Sequence, residues 1–286
     1  MGLYPQPNNW QCGPFALKHG LIMLGRIVDE KKISKVAGAS WWNGADEIKL
    51  ARAAKVYDCE LKLIRRKSAA RAKSELLHAL RKGHPALLCV DQWNHWITVV
   101  GRERDRFVLI DSRRAPVVQV ATWTSLQRRW GFKQRDLDDP TQTETFFDLH
   151  PIIPRFRVKT KARFSVKHAR YLRRAENRQF ATHWDEYFTD LSSICTPRTP
   201  RSEHVLSLGE MLRRHQSMIC NQIAYWHGSV KVDRVAKVLR NLRFVAETYD
   251  LVVRRDEEKR AICAITALLT LWSASKFGVG TVYGNI

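Results

Sequence analysis

Hydrophobic residues in the first half of the chain follow a helical spacing first and a strand-like spacing later. The helical spacing predicts three helices, over 14–25, 45–57 and 74–82, of which the first opens with Pro14 and closes at Gly25. Short runs rich in Val, Ile and Leu then predict four strands, at 86–90, 95–100, 107–110 and 117–120. Helices followed by neighbouring short strands indicate an α+β fold with a largely antiparallel sheet.

The pattern becomes polar after residue 136. The segment 136–145 contains Pro140 and predicts a loop, and two further prolines follow before residue 155. We therefore predict a domain boundary near residue 150, between an N-terminal domain at 1–150 and a C-terminal domain at 151–286. The second domain is predicted to be mostly helical, with a loop at 196–202 and helices over 206–224, 230–248 and 260–275.

One segment of the second half alternates with a period of two. Basic residues occupy every second position of it, and mostly apolar residues lie between them. This spacing predicts a strand with one cationic and one apolar face. The cationic positions are Arg155, Arg157, Lys159, Lys161 and Arg163. Two interpretations stay open: a charged edge strand that resists pairing, or a ridge that contacts the phosphates of a polyanion.

Charge extends this picture to the whole chain. Among 286 residues, 49 Lys and Arg against 28 Asp and Glu give a formal net charge of +21. A hydrophobic content of 44% argues against disorder despite that charge. The charge favours an acidic partner, such as nucleic acid, an anionic membrane surface or an acidic protein, without choosing among them.

Several classes of protein are disfavoured by missing patterns. No signal peptide is visible at the N-terminus, and the longest apolar stretch, 261–275, is too short to span a bilayer. We therefore expect a cytoplasmic protein without an integral membrane segment. The six cysteines form no CxxC pair, and His204, His215 and His227 match no metal-ligand spacing, so we expect neither a metal nor a cofactor.

The strongest chemical candidate is Cys12. It is followed by Gly13 and Pro14 at the start of the first predicted helix. The N-terminal end of a helix stabilises a negative charge, so a thiolate at this place has a lowered pKa. Cys12 is therefore a candidate nucleophile.

A nucleophilic cysteine needs a base, and the predicted strands supply one. His95 begins the strand 95–100, and Asp111 ends the next strand. If the two strands pair antiparallel, Asp111 returns to the neighbourhood of His95 and can orient its ring. Gln6 lies six residues before the cysteine and is a candidate donor to a developing oxyanion, together with the Cys12 N–H.

These motifs resemble a known family. The runs QPNNWQCGPFAL, LRKGHPALLCV, NHWITVVG and FVLIDS are similar to papain-like cysteine peptidases of the bacteriocin-leader-processing type, peptidase family C39 and its C39-like relatives. In that family a Gln, a Cys-Gly-Pro, a strand-initiating His and an Asp or Asn follow in this order, and Gln6, Cys12, His95 and Asp111 match them. The resemblance covers about residues 1–130. It implies a papain-like fold and thiol-dependent peptide cleavage, often after a double glycine.

The resemblance leaves the substrate and the reaction type open. Family members are usually fused to an ABC transporter, and this sequence lacks the GxxxxGK[ST] motif. We expect a peptide or protein substrate, and the acyl-enzyme of a hydrolase, an acyltransferase or a deamidase would use the same residues. Trp41, Trp42 and Trp93 either line a substrate groove or belong to the core. The alternative class is a polyanion-binding or adaptor protein on an inactive peptidase scaffold.

Overall fold

The computed structural model describes residues 3–135, 142–158, 162–197, 204–228 and 230–278. The chain divides into two compact units, Met1–Trp184 and Asp185–Ile286. The first unit combines helices with an antiparallel sheet, and the second is mostly helical.

The first unit alternates helices and strands along most of its length. Its helices are α1 (Cys12–Met23), α2 (Glu30–Ala37), α3 (Glu47–Val56), α4 (Ala69–Arg81), α5 (Trp123–Trp130) and α6 (Val166–Arg173), and α7 (Arg178–Ile194) continues into the second unit. Its strands are β1 (Cys59–Leu61), β2 (Ile64–Arg66), β3 (Ala86–Val90), β4 (His95–Glu103), β5 (Arg106–Ile110), β6 (Val118–Thr122), β7 (Phe132–Arg135) and β8 (Thr143–Pro154). The three helices and four strands predicted for this region are all present, with boundaries shifted by a few residues.

The strands form one sheet in the order β1-β8-β3-β4-β5-β6, and β2 and β7 also pair with β8. All of these pairs are antiparallel. The predicted α+β class with an antiparallel sheet is therefore confirmed.

Helix α1 is the central helix of the first unit, and each of its residues is buried. It lies against the sheet so closely that a Cβ added at Gly20 would stand 2.1 Å from the Cδ1 atom of Ile152. Only glycine permits this approach. The Thr98 hydroxyl on β4 donates to the Ala16 carbonyl at 2.7 Å, which ties the helix to the strand that carries His95.

Polar side chains at four helix starts explain why the chain turns helical there. Asp46 accepts a hydrogen bond from the Lys49 N–H at the start of α3, and Asp29 does the same for α2. Ser68 and Thr122 cap α4 and α5 in the same way. Such caps satisfy backbone donors that have no partner within the helix.

The division between the two units lies beyond the boundary predicted near residue 150. Residue 150 falls within β8, which lies between β1 and β3 in the sheet. The chain after β8 still packs on the first unit, since the Val166 N–H donates to Glu103 and the Trp184 indole donates to the Leu3 carbonyl. A polar, proline-containing segment suggested a boundary, but the long-range pairing of β8 could not be read from local composition.

The basic segment after β8 is not a strand in its described part. Residues 155–158 and 162–165 form no sheet pairing, and Lys159 and Lys161 lie outside the described residues. Burial nevertheless alternates, because Arg155, Arg157 and Arg163 are exposed while Ala162 and Phe164 are buried. The predicted apolar face therefore packs on the protein, but the predicted ladder of strand hydrogen bonds is absent from these residues.

In its described residues, the second unit contains four further helices and a small sheet. The helices are α8 (Leu208–Arg214), α9 (Gln216–His227), α10 (Val232–Thr248) and α11 (Glu258–Phe277), and β10 (Val205–Ser207), β11 (Leu251–Arg254) and β9 (Thr196–Pro197) pair in that order. The single helix predicted over 206–224 is wrong, because its first residues pair with β11 and the helix breaks at His215. Within the described residues, none of the helices is long and apolar enough to cross a membrane.

Candidate active site

Cys12 is the first residue of the central helix. A short 3-10 turn, Asn9–Gln11, leads into it, so the thiol lies at the positive end of α1. Cys12 is 8% exposed and lines a groove in the first unit. The sulphur is therefore sheltered but reachable.

His95 and Asp111 form a buried pair beside it. His95 is fully buried and Asp111 is 1% exposed, and the His95 Nε2–H donates to Asp111 Oδ1 at 2.7 Å. This bond occupies Nε2 and leaves Nδ1 as the ring nitrogen available for a proton from elsewhere. Nδ1 is buried and has no hydrogen-bond partner of good geometry among the described residues.

A β-bulge sets the register that brings these two side chains together. Between β4 and β5, Gly101 pairs with Val108, whereas Val99 pairs with Leu109, so β4 has one extra residue. Beyond the bulge Thr98 pairs with Ile110, and the same register places Asp111 opposite Ile97. Without the extra residue Asp111 would stand opposite Thr98, whose side chain points toward α1. A shift of one residue exchanges the two faces of a strand, so the bulge puts Asp111 on the face shared by His95.

The site shifts the pKa values of Cys12 and His95 in opposite directions. Burial alone would raise the pKa of Cys12, but the interaction with the neighbouring His95, the contact with the Trp96 backbone and the charges of His95 and Arg113 outweigh it and lower the pKa. For His95 the opposite holds: burial alone would lower its pKa, and the interactions with Asp111 and Cys12 raise it. Opposite shifts of a thiol and an imidazole are the electrostatic requirement for a charged catalytic pair.

Asp111 is held in its ionised form by three donors. Burial opposes ionisation, but His95, the Arg113 N–H and Arg129 together lower its pKa to about 2. Arg129 Nη1 donates to Asp111 Oδ2 at 3.1 Å, and its Nε and Nη2 donate to the two oxygens of Asp91 at 3.0 and 2.7 Å. Nothing in the local sequence pattern of α5 distinguishes Arg129 from the neighbouring Arg128, so its role is visible only in the structure.

Arg129 also anchors a left-handed turn between β3 and β4. Asp91, Gln92 and Trp93 have φ angles of 55°, 57° and 60°, a conformation that costs non-glycine residues energy. The turn is held from the other side by the stack of Trp93 on Phe132, with ring centroids 3.7 Å apart. The residues that lead into His95 are therefore fixed by contacts from α5 and β7.

Replacing Arg129 by glutamine is expected to lower the free energy of unfolding by about 2–3 kcal/mol, since it leaves the buried Asp111 carboxylate with one charged partner fewer. Lysine at this position should recover part of the loss, because it restores the charge without the bidentate geometry. Chemical denaturation measures both variants. The control is Arg128→Gln, an exposed arginine on the same helix, and an equal loss in that variant would contradict this role of Arg129.

Gln6 lies next to the residue that follows Asp111. Its backbone N–H donates to the Ser112 carbonyl at 2.9 Å, and its side-chain carbonyl accepts from the Ser112 hydroxyl at 2.5 Å. The side-chain amide nitrogen donates to the Asn8 carbonyl at 2.6 Å, and its second hydrogen has no partner among the described residues. The structure thus ties Gln6 to the strand end that carries Asp111.

The groove beside Cys12 has a volume of about 540 Å³. All three tryptophans considered in the sequence line it, and none is buried: Trp41, Trp42 and Trp93 are 65%, 76% and 37% exposed. The buried-core alternative therefore does not describe them. The other lining residues are Asn9, Trp10, Cys12, Asn43, Gly44, Ala45, Asp46, Glu47, Arg65, Cys89, Asn94, Trp96, Asp148 and His150.

Cys12 differs from the other buried cysteines in its environment. Burial raises the pKa of Cys89, which lines the same groove, and raises that of Cys59 to about 11 and that of Cys195 to about 12. Of the six free cysteines only Cys263 is exposed. In the part of the chain that the structure describes, no three His, Cys, Asp or Glu side chains converge as metal ligands.

Comparison with protein-family models and with curated protein sequences finds no match. Comparison with solved structures finds peptidase domains that align with about half of the chain. The peptidase domain of Streptococcus ComA, a bifunctional ABC transporter, is 16% identical, covers 54% of this chain and 98% of its own, and has a TM-score of 0.39.

Two further structures align in the same way. A double-glycine-motif protease of an AMS/PCAT transporter, solved with its leader peptide, is 16% identical over 52% of this chain and 91% of its own, with a TM-score of 0.38. A Bacillus anthracis chain described as a C39-like peptidase is 11% identical over 54% of this chain and 94% of its own, with a TM-score of 0.39.

Proposed function

We propose that the first unit is a cysteine-dependent hydrolase that cleaves a peptide or amide bond with Cys12, His95 and Asp111. The observation that carries this proposal is the charged environment of Cys12 at the helix start, opposite a His95 ring whose Nε2 is bound to Asp111 at 2.7 Å. Neither residue alone would support it. A buried cysteine is ordinarily a small hydrophobic residue with a raised pKa, as Cys89 and Cys195 are.

The first half-reaction forms an acyl-enzyme. The Cys12 thiolate attacks the substrate carbonyl carbon, and the carbonyl π electrons move to oxygen. The oxyanion then collapses and expels the amine, which takes the proton from His95 Nδ1. A carbon–sulphur bond has formed, a carbon–nitrogen bond has broken, and His95 is left neutral with Asp111 still accepting from Nε2.

The second half-reaction releases the acyl group. Neutral His95 Nδ1 takes a proton from water, the hydroxide attacks the thioester carbon, and the thiolate leaves. The products are a carboxylic acid and the original ion pair. An amine in place of water would make the same site an acyltransferase, and mass spectrometry of the products distinguishes the two outcomes.

The negative oxygen of each tetrahedral intermediate needs donors. The Cys12 N–H is one in this proposal, because it lies at the positive end of α1, beside the reacting thiolate. The Gln6 side-chain amide is the second in this proposal. Its remaining hydrogen is available for this purpose, and its contacts with Ser112 hold it in place.

The test of the charged pair is the alkylation of Cys12 as a function of pH. Because the pKa of Cys12 is lowered, its thiolate forms as the pH rises through a value below the usual 9.0. At pH 6 we expect iodoacetamide to modify Cys12 at least about 10-fold faster than the exposed Cys263, despite the lower intrinsic nucleophilicity of a low-pKa thiolate. Mass spectrometry of peptides from a time course measures both rates in one sample.

The same experiment has an internal control. His95→Gln keeps the thiol at the helix start but removes the imidazolium, so the pH at which Cys12 begins to react should rise.

Turnover by the unmodified protein has its own pH dependence. As the pH increases through the raised pKa of His95, substrate turnover should fall, because the leaving amine loses its proton donor. Labelling of Cys12 no faster than Cys263 at pH 6 would refute the proposal.

A further inference from the structure

The groove beside Cys12 carries an exposed pair of stacked tryptophans. Trp41 and Trp42 have ring centroids 3.9 Å apart and belong to a turn closed by two backbone hydrogen bonds between Ser40 and Gly44. No cation of the described residues lies over either ring. A large aromatic surface left in contact with water inside a groove is typical of a place where a ligand packs.

The groove is acidic, although the chain is strongly basic. Its lining contains three carboxylates, Asp46, Glu47 and Asp148, against one guanidinium, Arg65. Arg65 is already neutralised, since its Nε and Nη2 donate to the two oxygens of Asp148 at 2.7 and 2.6 Å. Two carboxylates therefore remain unbalanced in a protein of net charge +21.

The two remaining carboxylates differ in what they bind. Asp46 accepts from the Lys49 N–H at 2.8 Å and so caps α3. Glu47 is exposed, and its side chain forms no hydrogen bond or ion pair with the described residues. The hydrogen bond with Asp148 is the main cause of the raised pKa of Arg65, and burial is the main cause of the raised pKa of Cys89, and the charge of Glu47 adds to both. The Glu47 carboxylate is therefore free to balance a charge that enters the groove.

The chain itself shows how this groove holds a cation. The Arg65 guanidinium lies 5.2 Å from the Trp93 ring centroid and 5.4 Å from that of Phe146 while it binds Asp148. An aromatic surface together with a carboxylate thus already binds one guanidinium there. Trp41, Trp42 and Glu47 repeat these two components without a cation of the chain.

We propose that the groove recognises a basic side chain, arginine before lysine, in the peptide substrate, by stacking on Trp41 and Trp42 and by ion pairing with Glu47. The preference for arginine follows from its flat guanidinium, which stacks on aromatic rings and loses less hydration than an ammonium. This inference rests on the proposed function, because it specifies the substrate of the same site. The net charge of the whole chain favours an acidic partner, but this groove favours a basic one, since an acidic peptide would meet the uncompensated carboxylates.

The experiment measures binding rather than cleavage. Cys12→Ala retains the groove, and fluorescence polarisation follows its binding of labelled, N-acetylated octapeptides of Gly and Ala in which one position carries arginine, the neutral isostere citrulline, or glutamate. We expect the best arginine peptide to bind about 5- to 20-fold more tightly than its citrulline counterpart, the size expected of one cation–π contact with an exposed ion pair. Acetylation removes the charge of the N-terminal amine, so the arginine side chain is the cation that is tested. Unacetylated citrulline peptides, which carry a charged N-terminal amine but no guanidinium, test the other source of positive charge.

Variants assign the preference to its residues. Glu47→Gln and Trp42→Ala should each remove most of the arginine preference. The matched controls Glu60→Gln and Trp226→Ala, neither of which is among the lining residues, should keep it. Equal binding of arginine and citrulline peptides, a preference for glutamate, a preference that survives Glu47→Gln, or no binding at millimolar peptide would each overturn the inference. Tighter binding of a neutral chito-oligosaccharide than of the arginine peptide, if Trp42→Ala abolishes it, would also overturn the inference.

Failure of this inference and failure of the proposed function are separable. Cleavage by the unmodified protein tests the chemistry of Cys12, whichever side chain the groove prefers. Loss of the arginine preference with cleavage intact would refute the inference alone, and an arginine preference without cleavage would refute the hydrolase alone.

Discussion

Replacing Cys12 by alanine is expected to lower peptide cleavage about 10⁴-fold or more, to the background rate, because it removes the nucleophile that forms the acyl-enzyme. Cys89 also lines the groove, but burial raises its pKa and so disfavours its thiolate. The measurement uses a peptide library that includes double-glycine sequences, with products identified by mass spectrometry. The substitution removes one sulphur atom at a position 8% exposed, so the free energy of unfolding should change by no more than about 1 kcal/mol.

Two controls make that result specific. Cys263→Ala removes the exposed cysteine and should leave the rate unchanged. Cys12→Ser keeps the shape of the side chain but offers a hydroxyl, which His95 would have to deprotonate instead of receiving a preformed anion, so it should be almost as slow as alanine. Cleavage by Cys12→Ala at the rate of the unmodified protein would show that the chemistry lies elsewhere.

Replacing Asp111 by asparagine is expected to lower the rate about 10²- to 10³-fold, within the range of one general acid–base contribution. The side-chain carboxylate of Asp111 accepts hydrogen bonds from three donors: His95 Nε2, the Arg113 N–H and Arg129 Nη1. An asparagine can still accept from His95 with its oxygen, but its NH₂ group then meets the Arg129 guanidinium, another donor. The site therefore loses a negative charge and gains an unfavourable contact.

The electrostatic consequence gives Asp111→Asn a recognisable signature. Without the carboxylate, the pKa of His95 falls, since Asp111 is the first of the partners that raise it against burial. The imidazolium then stabilises the Cys12 thiolate over a narrower range of pH. Cys12 alkylation should therefore begin at a higher pH, and turnover should decline at a lower pH, than in the unmodified protein.

A matched control and a compensating change sharpen this result. Asp105→Asn changes an exposed aspartate in the turn between β4 and β5 and should alter neither the rate nor the pH profile. Adding Arg129→Gln to Asp111→Asn removes the guanidinium that meets the asparagine NH₂. The rate of cleavage by the double variant should therefore fall by no more than the two single variants predict when their effects on the activation free energy are added. An unchanged pH profile in Asp111→Asn would argue that Asp111 serves only the packing of the strand end.

The sequence was informative where the chemistry depends on local order. Helix polarity and antiparallel pairing bring Cys-Gly-Pro at a helix start, a histidine at the start of one strand and an aspartate at the end of the next into one neighbourhood. The face on which Asp111 lies depends in addition on the bulge in β4. The tryptophans were candidates for the groove on residue type alone. The hypothesis of a basic strand failed for the described residues because alternation specifies which side chains are buried, but it does not supply a neighbouring strand for the backbone to pair with.

Sequence by itself determined the α+β class, the central helix and the three residues proposed for catalysis, because each follows from periodicity or from neighbours in the chain. Tertiary structure alone decided three other features. The bulge in β4 sets the face on which Asp111 lies, Arg129 joins Asp111 to Asp91, and the lining of the groove is acidic within a chain of net charge +21. Each depends on contacts between residues that are distant in sequence, and neither composition nor hydrophobic periodicity predicts such contacts.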